Sequence, residues 1–220
     1  MVHNKSYIYF IGLVAGLAGL LFGFDTGVIS GAISFIQKEF SLSDSMEGFV
    51  VSSVMMGAVF GTFVSNLVSK NYGRHIALIV SGLLFTLCSI GSAMAWSYEV
   101  LIMVRFILGM AIGLASYTAP LYLAEISPRE VRGRIISFYQ LMIAAGLLLS
   151  YISDLLFTSS GNWRWMIGVP AIPGIVLLLC ALFLPGSPRW LVLKGRLSEA
   201  KTVLSKILPD EQVNKEFDEI

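Results

Sequence analysis

Two charged side chains in this sequence stand where charge is hard to keep: Asp25 in GLLFGFDTGVISG and Arg105 in LIMVRFILGM, each inside a long apolar run. Such a charge costs about 3 kcal/mol on membrane-insertion scales, so it faces a partner or a cavity. A carboxylate can bind a guanidinium. It can also exchange a proton, because burial favours its neutral form and a nearby cation its charged form. Proton relay is therefore the chemistry Asp25 offers, with Arg105 as its coupling partner. Gln140, in SFYQLMIAAG, brings an amide into a third apolar run. Its two donors and one acceptor suit either an interhelical hydrogen bond or a polar ligand. Asp154 comes near the end of that run, where it is expected to reach water.

Little else invites catalysis. The only histidines are His3 and His75, and there is no GxSxG, HExxH or evident Cys-His pair, so enzymatic chemistry is not expected. Cys88 and Cys180 lie within apolar runs and read as buried, inert thiols with no disulfide framework.

These residues need membrane-crossing elements to hold them. The 220 residues are 56% hydrophobic and 13% charged, with a mean hydropathy of +0.79, outside the range of soluble domains. About 20 mostly apolar residues make a helix that crosses the hydrocarbon core. Six windows qualify, at residues 7–35, 49–68, 76–95, 101–124, 135–157 and 165–184. The first is too long for a signal's apolar region and lacks a small-x-small cleavage site, so it reads as an uncleaved span. The fold class is thus an all-α membrane bundle of six helices over residues 1–186, with a cytoplasmic helical segment over 187–220.

Basic residues orient the bundle. Lys5 precedes the first window, Lys70 and Arg74 follow the second, Arg129, Arg132 and Arg134 follow the fourth, and Arg189, Lys194, Arg196, Lys201, Lys206 and Lys215 follow the sixth. The alternate connections hold only Lys38 and Arg164. Lys and Arg concentrate on the cytoplasmic side, which predicts both termini inside. By residue counting, Asp25 and Arg105 then share the outer half of the bilayer, at a depth that permits pairing.

Gly12, Gly16, Gly19, Gly23, Gly27 and Gly31 form a stripe on the first helix that lets another helix approach closely. Asp25 lies roughly 200° around the helix from that stripe. With Phe22 one turn away, it is expected to face a largely apolar pocket. Gly109, Gly113 and Pro120 mark the fourth helix as tightly packed and bent. Glu125, Arg129, Glu130, Arg132 and Arg134 mix signs at one connection, as a salt-bridge latch would. Beyond PGSPRW, where Pro185 and Pro188 end the sixth helix, Ala200, Val203, Leu204, Ile207 and Leu208 form an apolar stripe on a helix that Ser198 could cap. That stripe rests on the bilayer or docks beneath the spans.

The set GLLFGFDTGVISG, YGR, RFILGMAIGLASYTAPLYLAEISPREVRGR, SFYQ, GNWRW, PGSPRWL and KGRLSEA closely resembles the N-terminal half of sugar porters in the major facilitator superfamily. Within it, the bacterial galactose-proton and arabinose-proton symporters are most similar. The resemblance implies one of two six-helix halves around a central site, each a 3+3 inverted repeat. It further implies proton coupling by Asp25 under the influence of Arg105, sugar binding by Gln140, and pocket-lining roles for Phe22 and Ile143. Glu125, Arg132 and Arg74 correspond to a cytoplasmic gate.

The function so implied is proton-coupled symport of a galactose-, arabinose- or xylose-type monosaccharide in the cell (inner) membrane. It needs no cofactor beyond the proton gradient. The implied partners are the sugar, protons, lipid, and a second six-helix half or a homodimeric copy; no nucleic acid is involved. A non-transporting sugar-binding scaffold or sensor and a facilitative uniporter are the alternatives. Two local departures appear: NLVSKNYGRH lacks the family's leading Gly and acidic position, and Gly186 replaces a common acid. The second half is absent, so the chain is expected to be incomplete for transport alone, as a truncated or split gene product or as a half that pairs with another.

Overall fold

A computed structural model describes residues 5–220; His3 falls outside them. The described chain is helical throughout. Five long helices come first: α1 (Lys5–Phe40), α2 (Asp44–Tyr72), α3 (Arg74–Ala93), α4 (Tyr98–Ile126) and α5 (Arg129–Thr158). Short ones follow: α6 (Trp163–Gly168), α7 (Ala171–Ala181), α8 (Pro188–Leu193), α9 (Leu197–Ile207) and α10 (Asp210–Asp218). Among the described residues six stretches are long and apolar enough to cross a membrane, with α6 and α7 together forming the sixth.

Local chemistry sets the boundaries. The hydroxyls of Ser43 and Ser97 accept from the N–H groups of Met46 and Val100 and so cap α2 and α4. Gly73 joins α2 to α3 at φ 96°, a conformation that favours glycine. The sixth span was expected to be continuous, but it breaks between Gly168 and Ala171. Pro170 has no N–H to donate, and a proline ring clashes with the carbonyl four residues earlier, here that of Met166. Pro120, by contrast, sits inside an uninterrupted α4.

Packing is organised by two mirrored seams. α1 lies along α5, where a Cβ on Gly23 would collide with the backbone carbonyl of Ile143, and one on Gly146 with that of Leu20. α2 lies along α4 in the same way, with Gly109 against Val54 and Gly61 against Met110. This is small-residue helix packing, in which van der Waals contact replaces the hydrophobic drive that lipid removes. It also pairs the two three-helix units as an inverted repeat does. Elsewhere α2 and α5 expose large apolar residues such as Phe63, Leu67, Leu155 and Leu156, as membrane-embedded helices do.

One core cluster runs from the start of α1 through α3, α4 and α7 to α8 and α9; a second joins the latter part of α1 to the start of α4 and to α6. Of the two placements open to the tail stripe, docking is the one observed. Ala200, Val203, Leu204, Ile207 and Leu208 are all buried, in one cluster with Ile8, Ile11 and Trp190. Ser198 does not cap α9, which begins one residue earlier behind Arg196 with no side-chain cap.

Candidate functional site: a buried acid–arginine pair

The α1–α5 seam fixes where Asp25 points. With the glycine stripe against α5, the opposite side of α1 turns toward α4, and Arg105 meets Asp25 there. Nη2 of Arg105 lies 3.5 Å from Oδ2 of Asp25, with the two residues 1% and 3% exposed. This distance is at the long limit of a hydrogen bond. Nε and Nη1 of Arg105 are buried with no hydrogen-bond partner. The pair is enclosed but loosely made.

That corrects one expectation. Asp25 does not share an open face with Phe22: it is buried within the bundle, whereas Phe22 is half-buried and Thr26 exposed. Consecutive helical residues differ by about 100°, so the open surface of α1 begins beside the carboxylate instead of including it. Thr26 donates its hydroxyl to the Phe22 carbonyl. Across the seam, Ile143 is half-buried and packs near Gly19, and Gln140, one turn earlier, is exposed. Phe22, Ile143 and Gln140 therefore border a surface open on one side, with the acid–arginine pair behind it.

At the opposite end of the bundle Glu125 is held from two directions. Arg74 Nη2 donates to Oε1 at 2.7 Å and the Ser187 hydroxyl to Oε2 at 2.6 Å. Arg74 Nη1 also donates to the Ser69 carbonyl. The Trp190 indole N–H reaches the Lys70 carbonyl at 3.1 Å. Glu125 and Arg74 thus come together, whereas Arg132 donates to the Ser127 carbonyl through Nε and Nη2. The side chains of Arg129 and Glu130 lie outside the described residues.

Sequence reasoning missed three things. Ser187 was passed over in PGSPRW, although a serine preceding Pro-Arg-Trp is an N-cap signal: its hydroxyl accepts from the Trp190 N–H while donating to Glu125. Arg164 was counted only as a loop base, yet it binds Glu39 through both Nη atoms, stacks over Trp163 and donates to the Ala95 carbonyl. The third is Asp154, which does not reach water: it is 6% exposed and packs against Gly31 of α1. The tight approach that small residues allow covers it.

Comparison with known proteins extends this picture. The family model described as "Sugar (and other) transporter" matches residues 11–220. The arabinose-proton symporter of Escherichia coli K12 is 49% identical over 96% of this chain and 45% of its own length. The galactose-proton symporter of the same organism is 48% identical over 99% of this chain and 47% of its length. The chain spans about half the length of these relatives. Among solved structures, the major facilitator superfamily proton:xylose symporter XylE, bound to 6-bromo-6-deoxy-D-glucose, superposes with a TM-score of 0.93 at 32% identity, covering 99% of this chain and 53% of that one.

Proposed function

Because the chain belongs to the sugar (and other) transporter family, we propose that it is the proton-carrying half of a proton-coupled monosaccharide symporter of the galactose, arabinose or xylose type. The observation that carries the reading is the Asp25–Arg105 pair, a buried carboxylate whose partner among the described residues is a guanidinium at 3.5 Å. A contact this long gives way readily when the carboxylate takes up a proton. The neutral acid then leaves Arg105 free to shift, and helices move with it. In this reading Gln140 offers its amide to sugar hydroxyls, while Phe22 and Ile143 supply the apolar floor on which a pyranose ring lies.

A one-sided surface needs a second wall. A further six-helix half, or a second copy of the chain, would complete the site, and rocking of the two bundles would alternate its access. Arg74 and Glu125 tie α3 to α4 at the end assigned to the cytoplasm, where Arg132 also lies. In this reading both termini lie on that side, which the distribution of basic residues supports. The proton gradient supplies the energy.

The test is sugar-induced pH change in proteoliposomes carrying the chain with and without a co-expressed C-terminal half, using arabinose, galactose and xylose in turn. Uptake with alkalinisation of the medium is expected when both halves are present, and Asp25→Asn should abolish accumulation while leaving sugar exchange. Uptake indifferent to Asp25→Asn and to an imposed pH gradient would instead mean a uniporter. Sugar-dependent thermal stabilisation without flux would mean a binding scaffold or sensor.

A further inference from the structure

Asp154 is a buried carboxyl that the proton pathway above does not use. It lies on α5 against Gly31 of α1, six residues past Asp25 or about 9 Å farther along the helix. The residue is 6% exposed, and among the described residues both carboxyl oxygens are inaccessible and without a well-formed hydrogen bond, the Gly31 N–H being the nearest backbone donor. Little in its surroundings donates to it. Around it, Ser150 and Thr158 donate their hydroxyls to the Leu147 and Asp154 carbonyls, and the Ser153 hydroxyl is buried without a partner. The Gly31 N–H belongs to the α1 helix.

Among the described residues, no charge on the packed elements answers Asp154. On α1, Asp25 is taken by Arg105, Glu39 is taken by Arg164 of α6, and Lys38 is exposed. On α4, Glu99 is exposed and Glu125 is bound to Arg74. On α5 itself, Arg132 is bound to the Ser127 carbonyl and Arg134 is exposed at the far end. An ionised carboxylate only accepts hydrogen bonds, and at this seam the one backbone donor near it is the Gly31 N–H, already engaged in the α1 ladder. A carboxylic acid donates, and helix carbonyls keep a second lone pair for a donor. Burying the unpaired ion is costly enough that such groups neutralise instead.

We propose that Asp154 is a second proton-binding site of this bundle, distinct from Asp25. While α1 and α5 are packed at this end, Asp154 holds its proton as the neutral acid. When the seam parts and water enters, the O–H bond breaks, the proton passes to water and the carboxylate remains. The packed state carries one more proton than the parted one, so rising pH favours parting. The proposal is independent of which solute is carried, and a chain that moves no sugar would still show it.

The test uses the chain in phosphatidylcholine nanodiscs, with infrared spectra and thermal unfolding followed across pH. The protonated-carboxyl C=O band present at neutral pH should survive Asp25→Asn and vanish in Asp154→Asn. The wild-type melting temperature should fall as pH rises through the range where the seam releases its proton. Asp154→Asn, an isostere of the neutral acid, should remove about one proton from that linkage. Asp154→Leu provides a second non-titrating seam and should flatten the slope likewise. A band unaffected by Asp154→Asn, or variants that lower the melting temperature equally at every pH and keep the wild-type slope, would overturn the proposal.

Discussion

Among its described residues the bundle buries two acid–arginine pairs, and they are built differently. At one end Glu125 has a donor on each oxygen, at 2.7 and 2.6 Å, and its arginine is also anchored to the Ser69 carbonyl. In the interior, among the described residues, Asp25 has one polar contact, at 3.5 Å, and Arg105 has two buried nitrogens with nothing to bind. Removing charge from water is repaid only when geometry is good and the remaining polar atoms are satisfied. The first pair meets more of that condition than the second. A saturated pair holds helices in place, while an unsaturated one keeps capacity for another state, which is what a proton site needs.

The largest effect should come from breaking the interior pair on its acidic side. A guanidinium keeps its proton in proteins, whereas a carboxylate left alone can take one up. Asp25→Leu therefore strands a permanent buried charge and should cost about 3–5 kcal/mol. Arg105→Leu should cost clearly less, because Asp25 can neutralise. Unfolding of both variants in detergent micelles measures the asymmetry, and equal losses would mean that Arg105 is better satisfied than its contacts indicate.

Next comes the Glu125 pair. Arg74 is partly reachable by water, at 12% side-chain exposure, so either Glu125→Leu or Arg74→Met should cost about 1–3 kcal/mol, the scale of charge-assisted hydrogen bonds. Their double variant should recover part of the combined loss, since neither charge is then left unpaired. Strict additivity in this cycle would show that the two residues do not stabilise each other. Ser187→Ala is smaller, about 1 kcal/mol, from one cap and one hydrogen bond to the carboxylate. It should leave the stability difference between Asp25→Leu and Arg105→Leu unchanged.

Much of this comparison could be read from the sequence. Hydropathy delimits the spans, and the glycine spacing marks the face of α1 that another helix approaches closely, because both follow from periodicity, though the spacing did not name α5 as that helix. Asp25 and Arg105 stood out as charges in apolar runs. Their burial against each other was not readable, since it depends on how far α4 rotates toward α1, a tertiary quantity. The break at Pro170 was passed over because hydropathy continues across it. Asp154 was misplaced for a related reason: nearness to a helix end suggests water, but Gly31 admits the carboxyl into the seam.

An exposed acid–arginine pair on the tail supplies the smallest effect and the control for the two buried ones. Arg196 and Glu199 on the tail are bidentate at 2.6 Å, better in distance than either buried pair, yet both are about half exposed. Exposed pairs contribute little because water and salt screen them. The hydrogen bonds from Arg196 hold the Glu199 carboxyl below its usual range. Its contribution is therefore complete above the ordinary carboxylate value and is lost only as pH falls through that lower one. Glu199→Gln should leave the melting temperature unchanged at neutral pH and flatten at most an acid-side slope, whereas Glu125→Gln should already lose stability at neutral pH. If the two substitutions cost the same there, short contacts alone would account for the Glu125 pair, and burial would no longer explain why Asp25 and Arg105 behave differently from it.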